Sequence, residues 1–190
     1  MPAMSHSSSF KFSVVVIAAV AGACARANVA GSPSANAELR DASGRAVGSL
    51  VATPSGSGGI TLTVRVDGLP PGPHGIHVHA VGTCDPAGPT AFASAGGHFN
   101  PSSKQHGRLN PNGWHAGDMP NLVVDSAGKG TLTAIVESLT LETGAAALLD
   151  ADGSAVIIHA NADDERTDNG PSGPGNSGAR LACGVIRRVG

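Results

Sequence analysis

Histidine is the residue type that stands out in this sequence of 190 residues, because seven of its eight histidines lie beyond the N-terminal segment. A lone histidine is more often a hydrogen-bonded polar residue than a ligand, but seven in one small domain favour metal binding. The sequence therefore predicts a metal site in which imidazole is the main ligand. The seven are His74, His77, His79, His98, His106, His115 and His159.

Three of these histidines fall on predicted strands. His77 and His79 are separated by one residue in the strand candidate 75–80, so their side chains leave the strand on the same face. His159 ends an apolar segment of Val and Ile, and we expect a strand there to hold it equally firmly. Imidazoles fixed on one rigid face suit a transition metal.

A second group of donors lies in a long segment rich in Gly and Pro. His106, His115 and Asp118, together with His98, supply three imidazoles and one carboxylate, which can complete a four-coordinate zinc site. The donors thus form a strand group and a loop group, with His98 left between them. An imidazolate can bind a metal through each nitrogen, so His98 could belong to both groups, although spacing alone does not establish a bridge.

The N-terminal segment, residues 1–27, has the pattern of a secretory signal peptide. Lys11 precedes the apolar run 12–25, which is shorter than the roughly 20 apolar residues of a membrane-spanning helix. Ala25–Ala27 is a candidate cleavage site, and the alternative is lipoprotein processing at Cys24, which would tether the protein to a membrane. Residues 28–36 are small and polar and predict a flexible tether, which leaves 37–190 as one domain.

Export determines how the two remaining cysteines are interpreted. In an oxidising compartment, periplasmic or extracellular, Cys84 and Cys183 are expected to form a disulfide that closes a loop of about 100 residues. The alternative is a pair of buried free thiols.

The rest of the sequence predicts an all-β domain. The net charge of −2 gives no reason to expect a nucleic-acid partner. Segment 60–66 alternates apolar and polar residues with the period of a half-buried strand. About eight such short segments separated by turn residues indicate a sandwich or barrel. Two segments without strand character, 81–120 and 160–179, are predicted to be functional loops. The other strand candidates are 46–52, 75–80, 122–124, 131–136, 155–159 and 183–187.

Five short motifs, taken together, resemble the copper/zinc superoxide dismutase family. They occur in the family's order between about Leu39 and Ile186, and five together are far more specific than any one. The motifs are His74–His79 (HGIHVH), Gly97–Pro101 (GHFNP), His115–Asp118 (HAGD), His159–Asp164 (HANADD) and Arg180–Ile186 (RLACGVI).

The resemblance implies a role for each candidate residue and an eight-stranded Greek-key β-barrel. By position, the copper ligands are His77, His79, His98 and His159, and the zinc ligands are His98, His106, His115 and Asp118. Asp163 corresponds to the carboxylate that links a ligand of each metal, and His74 to a structural histidine. Arg180 corresponds to the residue that receives the substrate anion. Cys84 and Cys183 correspond to the family disulfide.

The same resemblance implies an enzyme with one copper and one zinc per subunit. Its reaction is the disproportionation of superoxide by alternating copper reduction and oxidation, with His98 as the proton donor. A non-enzymatic copper- and zinc-binding protein of the same fold is the alternative, and a metal-dependent hydrolase would require more carboxylates. The resemblance also allows a homodimer. Bacterial members of the family often differ from eukaryotic ones in their dimer interface, so the eukaryotic arrangement is not assumed.

Overall fold

The computed structural model describes Met1, residues 33–166 and residues 174–189, all within one chain. Residues 2–27 of the predicted signal segment, including Cys24, and residues 28–32 of the predicted tether lie outside this part. The strands found in the described residues are Ala35–Asp41 (β1), Ala46–Pro54 (β2), Ile60–Asp67 (β3), Gly72–His74 (β4), Ile76–His79 (β5), Leu122–Val124 (β6), Lys129–Val136 (β7), Ala155–His159 (β8), Arg180–Val185 (β9) and Arg187–Arg188 (β10).

These strands form one antiparallel sheet, in the order β4-β6-β7-β3-β2-β1-β9-β8-β5, with β10 paired to β1. Its two end strands, β4 and β5, are consecutive in the chain and are joined through Gly75 alone. The sheet is therefore nearly closed into a barrel, and Gly75 lies where its ends meet. Because β3 pairs with β7 and β1 with β9, strands distant in sequence are neighbours, as in Greek-key folds. The predicted all-β fold is confirmed.

The barrel interior is filled by aliphatic side chains from alternate strand positions. In β3 the buried residues are Ile60, Leu62, Val64 and Val66, and the residues between them are partly or fully exposed. This period of two is the one predicted for segment 60–66. In β5, Ile76 and Val78 join the same core, so the two histidines of that strand face the opposite side.

Both segments predicted as loops connect strands of the barrel, and residues 137–154 form a third long connection, between β7 and β8, that was not predicted. Residues 80–121 connect β5 to β6, and residues 160–179 connect β8 to β9, with a short 3₁₀ turn in each at Ala93–Ala95 and Pro174–Asn176. A disulfide between Cys84 and Cys183 fastens the start of the first segment to β9, with a Cα–Cα distance of 5.7 Å. The disulfide is confirmed, and the alternative of two free thiols is wrong.

Some element boundaries differ from the prediction. The described residues contain ten strands instead of about eight, since β1 and β4 lie outside the predicted strand segments and the predicted segment 183–187 divides between β9 and β10. The first strand begins at Ala35, inside the range 28–36 predicted as a tether, since Ala35 and Ala37 pack into the core. The last core strand begins at Arg180 instead of Cys183.

Among the described residues, no helix has the length and apolar character needed to span a membrane.

Candidate metal centre

Three strand histidines and one loop histidine converge on one face of the antiparallel pair formed by β5 and β8. His77 and His79 leave the same face of β5, and His159 ends β8, the strand that pairs with β5. His98 reaches the group from the first loop, because its main chain forms a β-bridge with His79. In this first group, His77, His79, His98 and His159, one side-chain nitrogen from each residue lies within 4.8 Å of the others.

Each strand histidine uses one ring nitrogen for a hydrogen bond that orients the ring. His79 Nδ1 donates to the carbonyl of Gly96 at 2.9 Å, and His159 Nδ1 donates to that of Gly178 at 3.2 Å. His77 Nε2 donates to Asp163 Oδ2 at 2.5 Å. With these donors assigned, the second nitrogen of each ring must be the acceptor of a neutral imidazole.

Those second nitrogens are the clearest sign of a metal site. His77 Nδ1, His79 Nε2 and His159 Nε2 are buried and have no hydrogen-bond partner within the part of the chain that the structure describes. A buried acceptor without a partner is unfavourable, and three in one place require a common partner. A soft or borderline transition metal with imidazole ligands provides such a partner, so the donor set fits copper.

The second group is built around one carboxylate. Asp118 Oδ1 lies 3.0 Å from His98 Nδ1 and 3.3 Å from His115 Nδ1, and Asp118 Oδ2 lies 3.1 Å from His106 Nδ1. Three imidazole nitrogens and one carboxylate oxygen match the donors of a four-coordinate zinc site, and all four groups lie within 4.8 Å of one another.

His98 belongs to both groups, which sequence spacing did not establish. Its Nδ1 faces Asp118 at 3.0 Å and His115 Nδ1 at 3.3 Å. Its other nitrogen, Nε2, is therefore the atom left for the first group. The ring of His98 stacks on that of His77 with centroids 3.9 Å apart, so the two groups are directly adjacent.

A second carboxylate, that of Asp163, links the two groups through hydrogen bonds to one histidine of each. Asp163 accepts hydrogen bonds from His77 Nε2 at 2.5 Å and from His106 Nε2 at 3.0 Å. One histidine of each group is thus oriented by the same buried side chain. Outer carboxylates of this kind fix the tautomer of a ligating imidazole and increase its basicity.

Burial keeps the strand histidines neutral. It lowers the pKa of His77 to about 3, that of His79 to about 2 and that of His159 to about 4, so each presents a lone pair at neutral pH. Burial also lowers the pKa of His98.

The two carboxylates of the site are charged, unlike the strand histidines. Burial raises the pKa of Asp118 and of Asp163, but hydrogen bonds from the surrounding histidines outweigh it and hold both pKa values well below the usual range. His106 lies between them, and although burial lowers its pKa, the two carboxylates raise it to about 10 when no metal is bound. Both carboxylates are therefore anionic at neutral pH, as a metal site requires.

Arg180 lies beside the first group. Its guanidinium donates to the carbonyl of Phe92 at 2.6 Å and to that of Gly96 at 2.7 Å, and Gly96 also accepts from His79. The side chain is half-buried, so a fixed positive charge stands next to the histidines of the first group.

His74 lies in neither group, in agreement with its predicted structural role. It is buried, with Nδ1 2.7 Å from the carbonyl of His159 and Nε2 2.8 Å from that of Pro70.

Sequence reasoning missed the main-chain and amide groups that orient the ligands. The carbonyls of Gly96 and Gly178 carry no side-chain signal. Asn121 hydrogen-bonds the main chain of Asp163 and was visible only as a polar residue directly before β6.

Known proteins resemble this chain over most of its length. The sequence model of the family described as copper/zinc superoxide dismutase matches residues 46–186. Copper–zinc superoxide dismutase 2 of Aquifex aeolicus is 42% identical over 155 residues, which cover 80% of this chain and 86% of that relative. The crystal structure of a superoxide dismutase-like protein from Bacillus subtilis is 40% identical, with a TM-score of 0.71 over 79% of this chain and 96% of that one. The copper/zinc superoxide dismutase from Brucella abortus is 31% identical, with a TM-score of 0.66 over 81% of this chain and 99% of that one.

Proposed function

Because the chain belongs to the copper/zinc superoxide dismutase family, we propose that its two histidine groups hold one copper and one zinc ion. The metals of this family are copper and zinc, and its reaction is the disproportionation of superoxide. Two superoxide anions and two protons give one molecule of oxygen and one of hydrogen peroxide. In the proposed site the copper ligands are His77, His79, His98 and His159, and the zinc ligands are His98, His106, His115 and Asp118.

One observation carries this assignment: the three buried nitrogens of the first group that have no partner among the described residues, namely His77 Nδ1, His79 Nε2 and His159 Nε2. Bound there, copper supplies one-electron redox chemistry, which zinc lacks. The roles of the side chains follow from the contacts that each of them makes.

His98 supplies one of the two protons that the second half of the reaction consumes, and solvent supplies the other. Its Nδ1 is directed at Asp118, 3.0 Å away, and is committed to the zinc group. Its Nε2 is the atom that can take up a proton and release it to the reduced substrate. Asp163 keeps His77 in the tautomer that presents Nδ1 to the first group, because it accepts the hydrogen bond from Nε2.

Arg180 docks the substrate anion. Two of its N–H groups are used by the carbonyls of Phe92 and Gly96, and these bonds hold the planar guanidinium beside the copper group. A fixed cation on this face favours a small anion by electrostatic attraction and by hydrogen bonding.

Copper and zinc content, measured together with superoxide decay, tests this function. We expect one copper and one zinc per chain and rapid decay of superoxide. A non-enzymatic metal-binding protein of the same fold would bind both metals without accelerating the decay, and that result would overturn the proposal. The proposal is favoured because all the copper-ligand candidates and Arg180 are present.

We also propose that the protein is exported as one domain, predicted as 37–190 and extended by β1 to Ala35, and that a signal segment and a shorter tether precede it. The Cys84–Cys183 disulfide supports an oxidising compartment, periplasmic or extracellular. Intact mass of the native protein distinguishes cleavage after Ala27 from lipidation at Cys24. A full-length, unmodified chain in the cytosol would contradict export.

A homodimer is the assembly that we propose. Trp114 and Ile135 are about half exposed, and they line one open cavity next to the first loop. The same cavity is lined by Lys104 and Glu137, and neither forms an ion pair with a described residue. In a two-fold interface built from this surface, the apolar groups of the two copies would pack together and Lys104 of each copy would face Glu137 of the other.

Solution mass tests the dimer. Ile135→Arg places a charge in the cavity and is expected to give monomers. Val123→Arg serves as the control, because Val123 is the exposed residue of β6 and lies outside the cavity. A monomeric wild type, or equal dissociation of both variants, would contradict this interface.

A further inference from the structure

The amide of Asn121 makes a two-point contact with the main chain of Asp163. Its Oδ1 accepts from the Asp163 amide N–H at 2.7 Å, and its Nδ2 donates to the Asp163 carbonyl at 2.8 Å. Asn121 directly precedes β6, and β6 pairs with β4 in the barrel. The side chain thus fastens the loop that carries Asp163 to the start of a strand, in the manner of a ladder pair.

The Asp163 carboxylate has little freedom to move independently of its main chain. Its oxygens contact His77 Nε2 at 2.5 Å and His106 Nε2 at 3.0 Å, and Oδ1 also accepts from the Glu165 N–H at 2.6 Å. On its other side lies Gly175 in a left-handed conformation, φ 66°, where a Cβ would overlap the carboxylate. The carboxylate is confined on all these sides, so a shift of the Asp163 backbone cannot be absorbed by the side chain without disturbing its contacts with His77 and His106.

We propose that Asn121 is a positioning residue for both metal groups. It fixes the backbone of Asp163, and through the Asp163 carboxylate it sets the ring orientation of His77 in the copper group and of His106 in the zinc group. This inference rests on the proposed function, because it takes those two histidines to be metal ligands.

The chain contains a matched control for this role. Asn100 makes the same two-point contact in the first loop, where its Nδ2 donates to the Lys104 carbonyl at 2.8 Å and its Oδ1 accepts from the Lys104 N–H at 2.9 Å. Both asparagines are partly buried. Only Asn121 makes this contact with Asp163, so the two differ in what they position and not in the kind of bond they form.

The experiment compares Asn121→Ala, Asn121→Thr and Asn100→Ala in the protein loaded with both metals. Zinc release to a chromophoric chelator is expected to be about tenfold faster in Asn121→Ala and within about twofold of wild type in Asn100→Ala. Asn121→Thr keeps one hydrogen-bonding group and is expected to lie between them.

A second readout reports ring orientation directly. Because Asp163 accepts hydrogen bonds from Nε2–H of His77 and of His106, we expect both ring protons to exchange slowly enough with water to be followed by NMR in the copper(I), zinc-loaded protein. Asn121→Ala is expected to speed their exchange with water, whereas Asn100→Ala leaves it unchanged. A merely structural role would lower thermal stability in both alanine variants without this selective exchange.

The inference and the proposed function fail on different results. A wild-type protein that did not bind both metals would overturn the proposed function, whereas the role of Asn121 is decided by the variants. Equal zinc release and equal ring N–H exchange in the two alanine variants would overturn the role of Asn121. If Asp163→Asn also left zinc release unchanged, the role proposed for Asp163 would fail as well. If Asn121→Ala does not fold, Asn121→Thr decides, and wild-type behaviour in both readouts would overturn the inference.

Discussion

His77 Nε2 lies 2.5 Å from Oδ2 of Asp163, 86 residues further along the chain, and both side chains are almost fully buried. The same carboxylate contacts His106 at 3.0 Å, so the first long loop, the second long loop and β5 meet at one side chain. We expect the integrity of both metal groups to depend on this contact, although Asp163 belongs to neither set of proposed ligands.

Asp163→Asn tests that dependence. The amide has the same shape but carries no charge. Its oxygen can accept from one histidine, but its NH2 group then faces the N–H of the other. We expect zinc affinity to fall roughly 10- to 100-fold. Asp164→Asn is the control, because Asp164 is exposed and bonds Asn176 instead of a candidate ligand. Equal zinc affinity in the two variants would contradict the role of Asp163.

His159→Ala tests the copper group. Removing this imidazole leaves three of the four proposed copper ligands in place. It changes none of the proposed zinc ligands. Copper occupancy and superoxide decay should fall sharply, while zinc content stays near one per chain. Atomic absorption on the purified variant, together with the decay rate, measures both. Full copper occupancy at the wild-type rate would exclude His159 as a ligand.

Asp118→Ala tests the zinc group, and here zinc is the metal that should be lost. Asp118 is the carboxylate around which His98, His106 and His115 gather, and it also accepts from the main-chain N–H groups of Gly107 and His115. Its loss should release zinc and loosen the first loop, 80–121. Limited proteolysis is expected to cut this loop faster than in wild type. Unchanged zinc content and unchanged cleavage would show that Asp118 is not a ligand.

Acid is predicted to destabilise the metal-free protein well above the pKa of its carboxylates. Burial lowers the pKa of His77, His79 and His159 to about 3, 2 and 4, whereas an unfolded histidine titrates near 6.5. Between about pH 6.5 and 4 the unfolded state therefore binds more protons, so the free energy of unfolding falls as pH falls. The effect is on the order of 2 kcal/mol per histidine at pH 5.

His106 offsets only a small part of this loss. Its pKa is raised to about 10, so its stabilising contribution is lost progressively as the pH rises from about 6.5 through about 10. The contribution therefore still grows between pH 7 and about 6.5, but it is constant below about pH 6.5, where the three strand histidines destabilise the fold. Urea unfolding of the metal-free protein at pH 7 and pH 5 measures the difference, and His159→Gln should reduce it. Equal midpoints at the two pH values would contradict the prediction.

Sequence reasoning predicted the ligand candidates because a strand dictates where its side chains point. The spacing of His77 and His79 on β5 requires a common face, and the apolar run before His159 requires a strand. Loop backbone has no such period. The carbonyl of Gly96, the amide of Asn121 and the approach of Gly175 to Asp163 depend on dihedral angles that residue types do not determine.

The strand boundaries illustrate the same limit. Ala35 and Asn36 look like part of a linker, because small and polar residues carry little strand signal. They form a strand because the adjacent edges of β2 and β10 offer them backbone partners. Tertiary pairing thus decides where β1 begins.

Arg180 gives the most direct test of how the substrate is received. Arg180→Ile should leave both metals bound, because the guanidinium is not among the proposed ligands, and should lower the rate because the anion loses its charge partner. Two carbonyls, those of Phe92 and Gly96, also lose a donor, and Gly96 orients His79, so copper content must be measured in each variant. Arg180→Lys keeps the charge without the planar fork and should lose less activity. The wild-type rate should fall as salt rises, since screening acts over roughly 10 Å at 0.1 M, and Arg180→Ile should show a weaker dependence. At full copper loading, equal rates for wild type and Arg180→Ile across the salt series would refute the docking role.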